Sequence, residues 1–201
     1  MSYHLTSPMP PILSVRCPNC TKHAIFEHVT AQPIQKNVDV DFFKKSPFFE
    51  FQDVEGRPGY AIYFPRLGRN LENLESLPEG YDNKAWQHSK YWRHRSSDMG
   101  VLQCNNCSCR RKHNLQWPED AYFKVEYKGD WLWAFDRETA QLLLNYIESD
   151  ERNKTIIGYI QAKTHKIEIK GHHSFLLKIP AKFQARNARD PIVKKLRKVL
   201  A

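Results

Sequence analysis

Apolar residues recur at every second position in several short runs and at every third or fourth position in two longer ones, which predicts strands early and helices late. Ile12-Leu13-Ser14-Val15-Arg16 and Ala24-Ile25-Phe26-Glu27-His28-Val29 read as two strands of a hairpin with residues 17–20 at its tip. Val38-Asp39-Val40-Asp41-Phe42 alternates strictly, and Phe48-Phe49-Glu50-Phe51 and Tyr60-Ala61-Ile62-Tyr63-Phe64 follow, the last two separated by the turn Glu55-Gly56-Arg57-Pro58-Gly59. Together they predict strand pairs on a small sheet. Residues 65–82, rich in Gly, Pro, Asn, Leu and Glu, predict a surface loop or one short helix.

Further on, Ala121 to Lys128 alternates, Gly129-Asp130 turns the chain and Trp131-Leu132-Trp133-Ala134-Phe135 returns, so Phe123, Val125 and Tyr127 should face a core. Asp136 is an N-cap candidate for a helix over 137–149, whose stripe Ala140, Leu143, Leu144, Ile147 follows the i, i+3, i+4, i+7 pattern. Ile156-Ile157 and Tyr159-Ile160 extend that helix or form a strand, Ile167-Glu168-Ile169-Lys170 alternates, and Phe175 to Pro180 is an apolar, buried run. Asp190-Pro191 predicts an N-cap with proline at the first helical position. The helix that follows has one face of Ile192, Val193, Leu196, Val199 and Leu200 and another of Lys194, Lys195, Arg197 and Lys198. The fold class expected is α+β.

Two Cys-x-x-Cys pairs stand out, Cys17/Cys20 at the tip of the first predicted hairpin and Cys104/Cys107 past the middle of the chain. Each pair puts two thiolates on one tight turn, and two turns supply the four sulfurs of a tetrahedral structural Zn²⁺. The alternatives are reduced structural thiols or a redox dithiol, but a thioredoxin-like motif should open a helix, whereas Lys22-His23-Ala24 and Arg110-Arg111-Lys112-His113 follow these pairs. Cys109, His23 and His113 could replace a ligand; the Cys-x-x-Cys turn is the better chelate, which leaves the two histidines as polar neighbours.

CPNC with its short strand, and LQCNNCSCRRKHNLQW, resemble the two halves of a zinc ribbon, in which two knuckles on β-hairpins clasp one metal. The likeness covers residues 12–30 and 98–128. It implies a split ribbon over 1–135, into which the strand pattern places an inserted antiparallel sheet at about 31–98; the helical periodicity then predicts a helical, basic region over 136–201 packed on it. DWLWAFDRETAQLLLNYI is also similar to segments of small uncharacterised bacterial zinc-ribbon proteins. Neither likeness implies an activity, since zinc ribbons bind nucleic acid, assemble polymerase-type machines or staple domains.

Composition narrows the picture. A chain of 201 residues, 41% hydrophobic and 12% aromatic, can bury a core. An odd total of five cysteines, four of them in two pairs with metal spacing, and an opening that lacks a basic stretch and an apolar h-region, lead us to expect a cytoplasmic home. No apolar run reaches the roughly 20 residues that span a bilayer. The net charge of +9 lies in residues 160–201, where 11 Lys or Arg face only Glu168 and Asp190; the first 159 residues are balanced.

Such a basic segment is the footprint expected for a polyanion, because phosphate contacts release counterions. Candidate nucleic-acid contacts are Trp86, Lys90, Trp92, Arg93 and Arg95, where aromatics interleave with cations, then Arg110, Arg111 and Lys112 beside the second knuckle, and Lys182, Arg186, Arg189, Lys194, Lys195, Arg197 and Lys198. The plainer reading packs Trp86 and Trp92 into a core and leaves the cations in water. A catalytic reading would need a base, a nucleophile or an open metal position, and four thiolates saturate the metal. His172 and His173 could belong to a nuclease-like site but read better as polar turn residues. The expectation is therefore a non-catalytic, zinc-stabilised DNA- or RNA-binding component of a larger assembly. The competing class is an interaction protein of a toxin, defence or regulatory assembly whose basic region meets an acidic partner.

Overall fold

Four strands in the order β1-β2-β6-β7 form the antiparallel sheet that carries both cysteine pairs. They are β1 (Ile12–Arg16), β2 (His23–His28), β6 (Met99–Gln103) and β7 (Arg110–Asn114) in the computed structural model, which describes residues 9–67, 71, 76–82, 86, 98–149, 176 and 179–201. Leu13 pairs with Phe26, and Phe26 with Leu102, so one face of the sheet gathers buried Leu13, Val15, Ala24, Phe26 and Leu102. Pairing of Phe26 with Leu102 requires His28 to face Gly100, and a side chain at Gly100 would collide with the Phe26 ring and the Glu27 carbonyl.

The chain between β2 and β6 builds a second sheet of order β3-β5-β4, from β3 (Thr30–Pro33), β4 (Phe49–Val54) and β5 (Arg57–Tyr63). The β4–β5 hairpin is the one expected from the alternation, but its turn is only Glu55-Gly56: Arg57, Pro58 and Gly59, expected in the turn, belong to β5. Val38-Asp39-Val40-Asp41-Phe42 is not a strand: a 3₁₀ turn, Asn37–Asp39, leads into α1 (Val40–Lys45). Helical spacing puts Val40 and Phe43 on one face, where Phe43 is fully buried against Phe49, Trp86 and Tyr81, while Val38 is left exposed. A strand would have turned Val38, Val40 and Phe42 inward and Phe43 outward. On the other side of this sheet, Val29, Ala31, Ile62 and Phe64 pack on Val101 of β6, so the insert shares a core with the sheet that carries the cysteines. These residues belong to one compact unit, Pro11–Asp120.

The other unit comprises Ala121–Ala201 with the N-terminal residues. Hairpin β8 (Lys124–Tyr127) and β9 (Asp130–Trp133) turns through Lys128 and Gly129, both at positive φ, the two-residue turn that suits strand twist. Because this hairpin packs with the helices, the division falls after Asp120, whereas the sequence reading drew its boundary at 135/136. Helix α2 (Arg137–Glu148) starts on the expected Asp136, whose carboxylate accepts from the Thr139 amide at 2.7 Å while the Thr139 hydroxyl accepts from the Asp136 amide at 2.9 Å. Its predicted stripe, Ala140, Leu143, Leu144 and Ile147, is buried.

After the short α3 (Ala181–Gln184) comes α4 (Arg189–Leu200), antiparallel to α2. Arg137, at the start of α2, donates to the last carbonyl of α4 at Leu200; Arg189, at the start of α4, donates to that of α2 at Glu148. Each helix thus satisfies the orphan C-terminal carbonyl of the other with a cation. Asp190 is not the N-cap. A 3₁₀ turn, Arg186–Ala188, runs straight into α4, the cap position falls on Ala188, and Asp190 and Pro191 sit within the first turn, where proline's missing N–H costs no bond. Ile192, Leu196 and Leu200 are buried as the apolar stripe required. The segments expected over 156–160 and 167–170 lie outside the described residues.

Candidate metal centre

The two cysteine turns have the same backbone. In each, the residue after the second cysteine adopts a left-handed conformation, Thr21 at φ 61° and Ser108 at φ 55°. The amide of the first cysteine donates to a carbonyl five residues on, Cys17 to Lys22 and Cys104 to Cys109, both at 2.8 Å. One turn closes the β1–β2 hairpin and the other joins β6 to β7. Since β2 pairs with β6 in the register Ile25 to Gln103, both turns end at the same edge of the sheet.

All four Sγ atoms lie within 4.8 Å of one another, with Cys17 to Cys107 and Cys20 to Cys104 both at 3.6 Å. Each short contact joins one turn to the other, so a metal held here ties the two hairpins together across 83 residues of intervening chain. Cys17 and Cys104 are buried, Cys20 is half-buried and Cys107 is exposed.

The electrostatics of the cluster favour a cation. Burial pushes the Cys17 thiol up, but amides of Cys20 and Asn19 and the thiols of Cys107 and Cys20 outweigh it and bring it down to about 7. At Cys107 the Cys109 amide acts to lower the thiol, yet lost hydration and the sulfurs of Cys20, Cys17 and Cys104 push it up to about 12. Crowded thiolates repel, and a bound cation is what lets all of them ionise.

The alternative ligands are occupied elsewhere. The His23 Nε2 lies 3.0 Å from the Ser14 hydroxyl, and burial lowers the His23 pKa. His113 Nε2 lies 2.8 Å from Asp120 Oδ2, and its ring packs edge-on to Phe26. Cys109 contributes its carbonyl to the second turn rather than its sulfur to the cluster.

The candidate nucleic-acid residues divide. Trp86 is a correction: at 1% exposure it stands against Phe43 and Phe49, with the Phe49 ring centroid 4.7 Å away, so neither face of the indole is open to a base. Lys90, Trp92, Arg93, Arg95, His172 and His173 lie outside the described residues. Arg110, Arg111 and Lys112 are exposed on the edge strand β7, with Lys112 bonded to Glu50 and its ammonium 4.6 Å from the Phe64 ring centroid. Within the other unit Lys182 pairs with Asp130, Arg189 donates to Glu148, Lys195 to the Glu126 carbonyl and Arg197 to the Glu148 carboxylate. Arg186, Lys194 and Lys198 are exposed and make no ion pair among the described residues.

A feature that sequence reasoning missed is a pocket of about 320 Å³ lined by Pro47, Phe48, Phe49, Glu50, Tyr63, Phe64, Leu67 and Lys112. Its wall is assembled from β4, β5 and β7, which are distant in sequence, and no local pattern announces it.

Fold and site together define an α+β protein in which four cysteines from two hairpins form a clasp that could hold one metal ion. No helix among the described residues is long and apolar enough to cross a membrane. Comparison with protein-family models, curated proteins and solved structures returns no match, so the functional argument stands on the chemistry of the residues.

Proposed function

We propose that this chain is a zinc-stapled nucleic-acid-binding protein of the zinc-ribbon kind, a non-catalytic component of a larger nucleoprotein assembly. Zinc is favoured by the donor set and by size: four sulfurs about 2.3 Å from a tetrahedral ion stand about 3.8 Å apart, close to the 3.6 Å contacts between the turns. Four thiolates leave no position for water or substrate, so the ion would supply folding energy rather than chemistry.

The observation that carries the binding reading is the exposed charge of α4, where Lys194 and Lys198 make no ion pair among the described residues. Lys194 and Lys198 stand one turn apart on its exposed face, Arg186 precedes it, and the apolar stripe that anchors the helix faces the other way. Cations held on a rigid helix suit phosphate contacts, which position a protein on nucleic acid without reading sequence. The test is fluorescence anisotropy of mixed-sequence DNA and RNA oligonucleotides with the full chain at several salt concentrations. Lys194, Lys195, Arg197 and Lys198 all changed to Gln should weaken binding alike for every sequence and reduce the slope of log K against log salt by up to about 0.9 for each duplex phosphate that is no longer neutralised. An unchanged slope in that variant excludes α4 as the phosphate-binding element. A folded parent that binds no oligonucleotide overturns the reading in favour of an acidic protein partner.

A further inference from the structure

The pocket beside β7 opens where the rim of the core meets an exposed ion pair. Phe48 is half-buried, Leu67 is 38% exposed, and the buried Phe64 ring forms the floor beneath the Lys112 ammonium. Lys112 in turn bonds Glu50 through Oε1, and the Glu50 side chain is still 49% exposed. Along β7, Arg110 stands on the same face as Lys112, the face on which Val101 meets Phe64, so a second cation lies about 7 Å further along the strand.

Apolar walls, a carboxylate paired with a lysine, and cations at the rim are the three elements needed for one unstacked nucleotide. The base needs an apolar slot, its edge needs an acceptor, and its phosphate needs positive charge. Duplex DNA keeps its bases stacked inside and cannot fill such a slot. We propose that this pocket receives a single base of single-stranded nucleic acid, with Phe48 and Leu67 packing on its faces and edges. The Glu50 carboxylate accepts from its exocyclic amine, and Arg110 and Lys112 hold the adjacent phosphate. An acceptor-only group selects a base with an amine donor, so cytosine is preferred to thymine or uracil, whose corresponding position is a carbonyl. This inference rests on the nucleic-acid reading above but names the form of the ligand, which α4 does not.

The experiment uses the full chain with fluorescein-labelled oligo-dC, oligo-dT and a mixed duplex. The parent should bind oligo-dC more tightly than oligo-dT. Phe48→Ala, at a half-exposed rim, should lower single-strand affinity about 5- to 150-fold, the loss of one stacked base, with duplex binding and the salt slope unchanged. Glu50→Gln should narrow the dC-to-dT ratio, because an amide can also donate to a carbonyl. Circular dichroism checks that both variants remain folded. Were Phe48→Ala not to fold, Leu67→Ser at the exposed rim should also lower single-strand affinity and leave duplex binding and the salt slope unchanged. If the parent binds oligonucleotides but Phe48→Ala or Leu67→Ser and Glu50→Gln leave affinity and the dC-to-dT ratio unchanged, the pocket assignment is overturned while the binding function stands. If the folded parent binds none of the three, the function itself fails.

Discussion

Replacing Cys20 with serine removes one of four sulfurs and one of the two short sulfur contacts that join the cysteine turns. Cys20 and Cys104 touch through their sulfurs while 83 residues separate them in the chain. In the chain-entropy picture, a cross-link that closes a loop of this length restricts the unfolded state by about 4–5 kcal/mol. A whole domain is stable by only about 5–15 kcal/mol, so removing that constraint takes away a third or more of what holds Pro11–Asp120 together. Cys109→Ser leaves the four-sulfur set intact, and the turn uses the carbonyl of residue 109, which serine retains. Urea unfolding at equal zinc, followed by near-ultraviolet circular dichroism, should therefore lower the midpoint of Cys20→Ser by about 2 M for an m-value near 2 kcal/mol/M. Cys109→Ser should stay within about 0.5 M of the parent by the same slope. A parent-like midpoint for Cys20→Ser, or an equal loss for Cys109→Ser, would refute the assignment of the clasp.

Trp86→Ala should destabilise the protein by about 3–5 kcal/mol in chemical denaturation, the usual cost of deleting a fully buried ring. A stable variant that had lost only single-strand affinity would restore Trp86 as a stacking platform. Gly100→Ala should cost about 1–3 kcal/mol, because a methyl group there meets the Phe26 ring and the Glu27 carbonyl on the neighbouring strand; Gly100→Ala unfolding at the parent's midpoint would contradict the close approach of β2 and β6.

Much of the scaffold was legible because its determinants are local. The β8–β9 hairpin carries clean alternation around Lys128-Gly129, and α2 combines Asp136 with a stripe of four apolar positions. The clasp was legible because chelation demands paired cysteines at fixed spacing, wherever the chain has wandered in between. What was misread depended on neighbours far away in sequence. Val38 to Phe42 fits a two-residue period, but Val40 and Phe43 fit a helical one as well, and burial of Phe43 among Phe49, Trp86 and Tyr81 decides between them. Strand β3 escaped notice because Thr30 to Pro33 has no alternation and ends in proline; its partner β5 makes it a strand. Trp86 sits among cations in sequence and among phenylalanines in space. The pocket under Lys112 arises only when β4, β5 and β7 meet.

The central claim, a closed four-sulfur zinc site that holds two distant hairpins together, is tested most directly by X-ray absorption at the zinc edge. The sample is the full chain purified without chelator, with native mass spectrometry of the same preparation giving the stoichiometry. The account predicts one zinc per chain and a first shell of four sulfurs at about 2.3 Å. A folded chain without metal, or a nitrogen or oxygen scatterer in that shell, would contradict it.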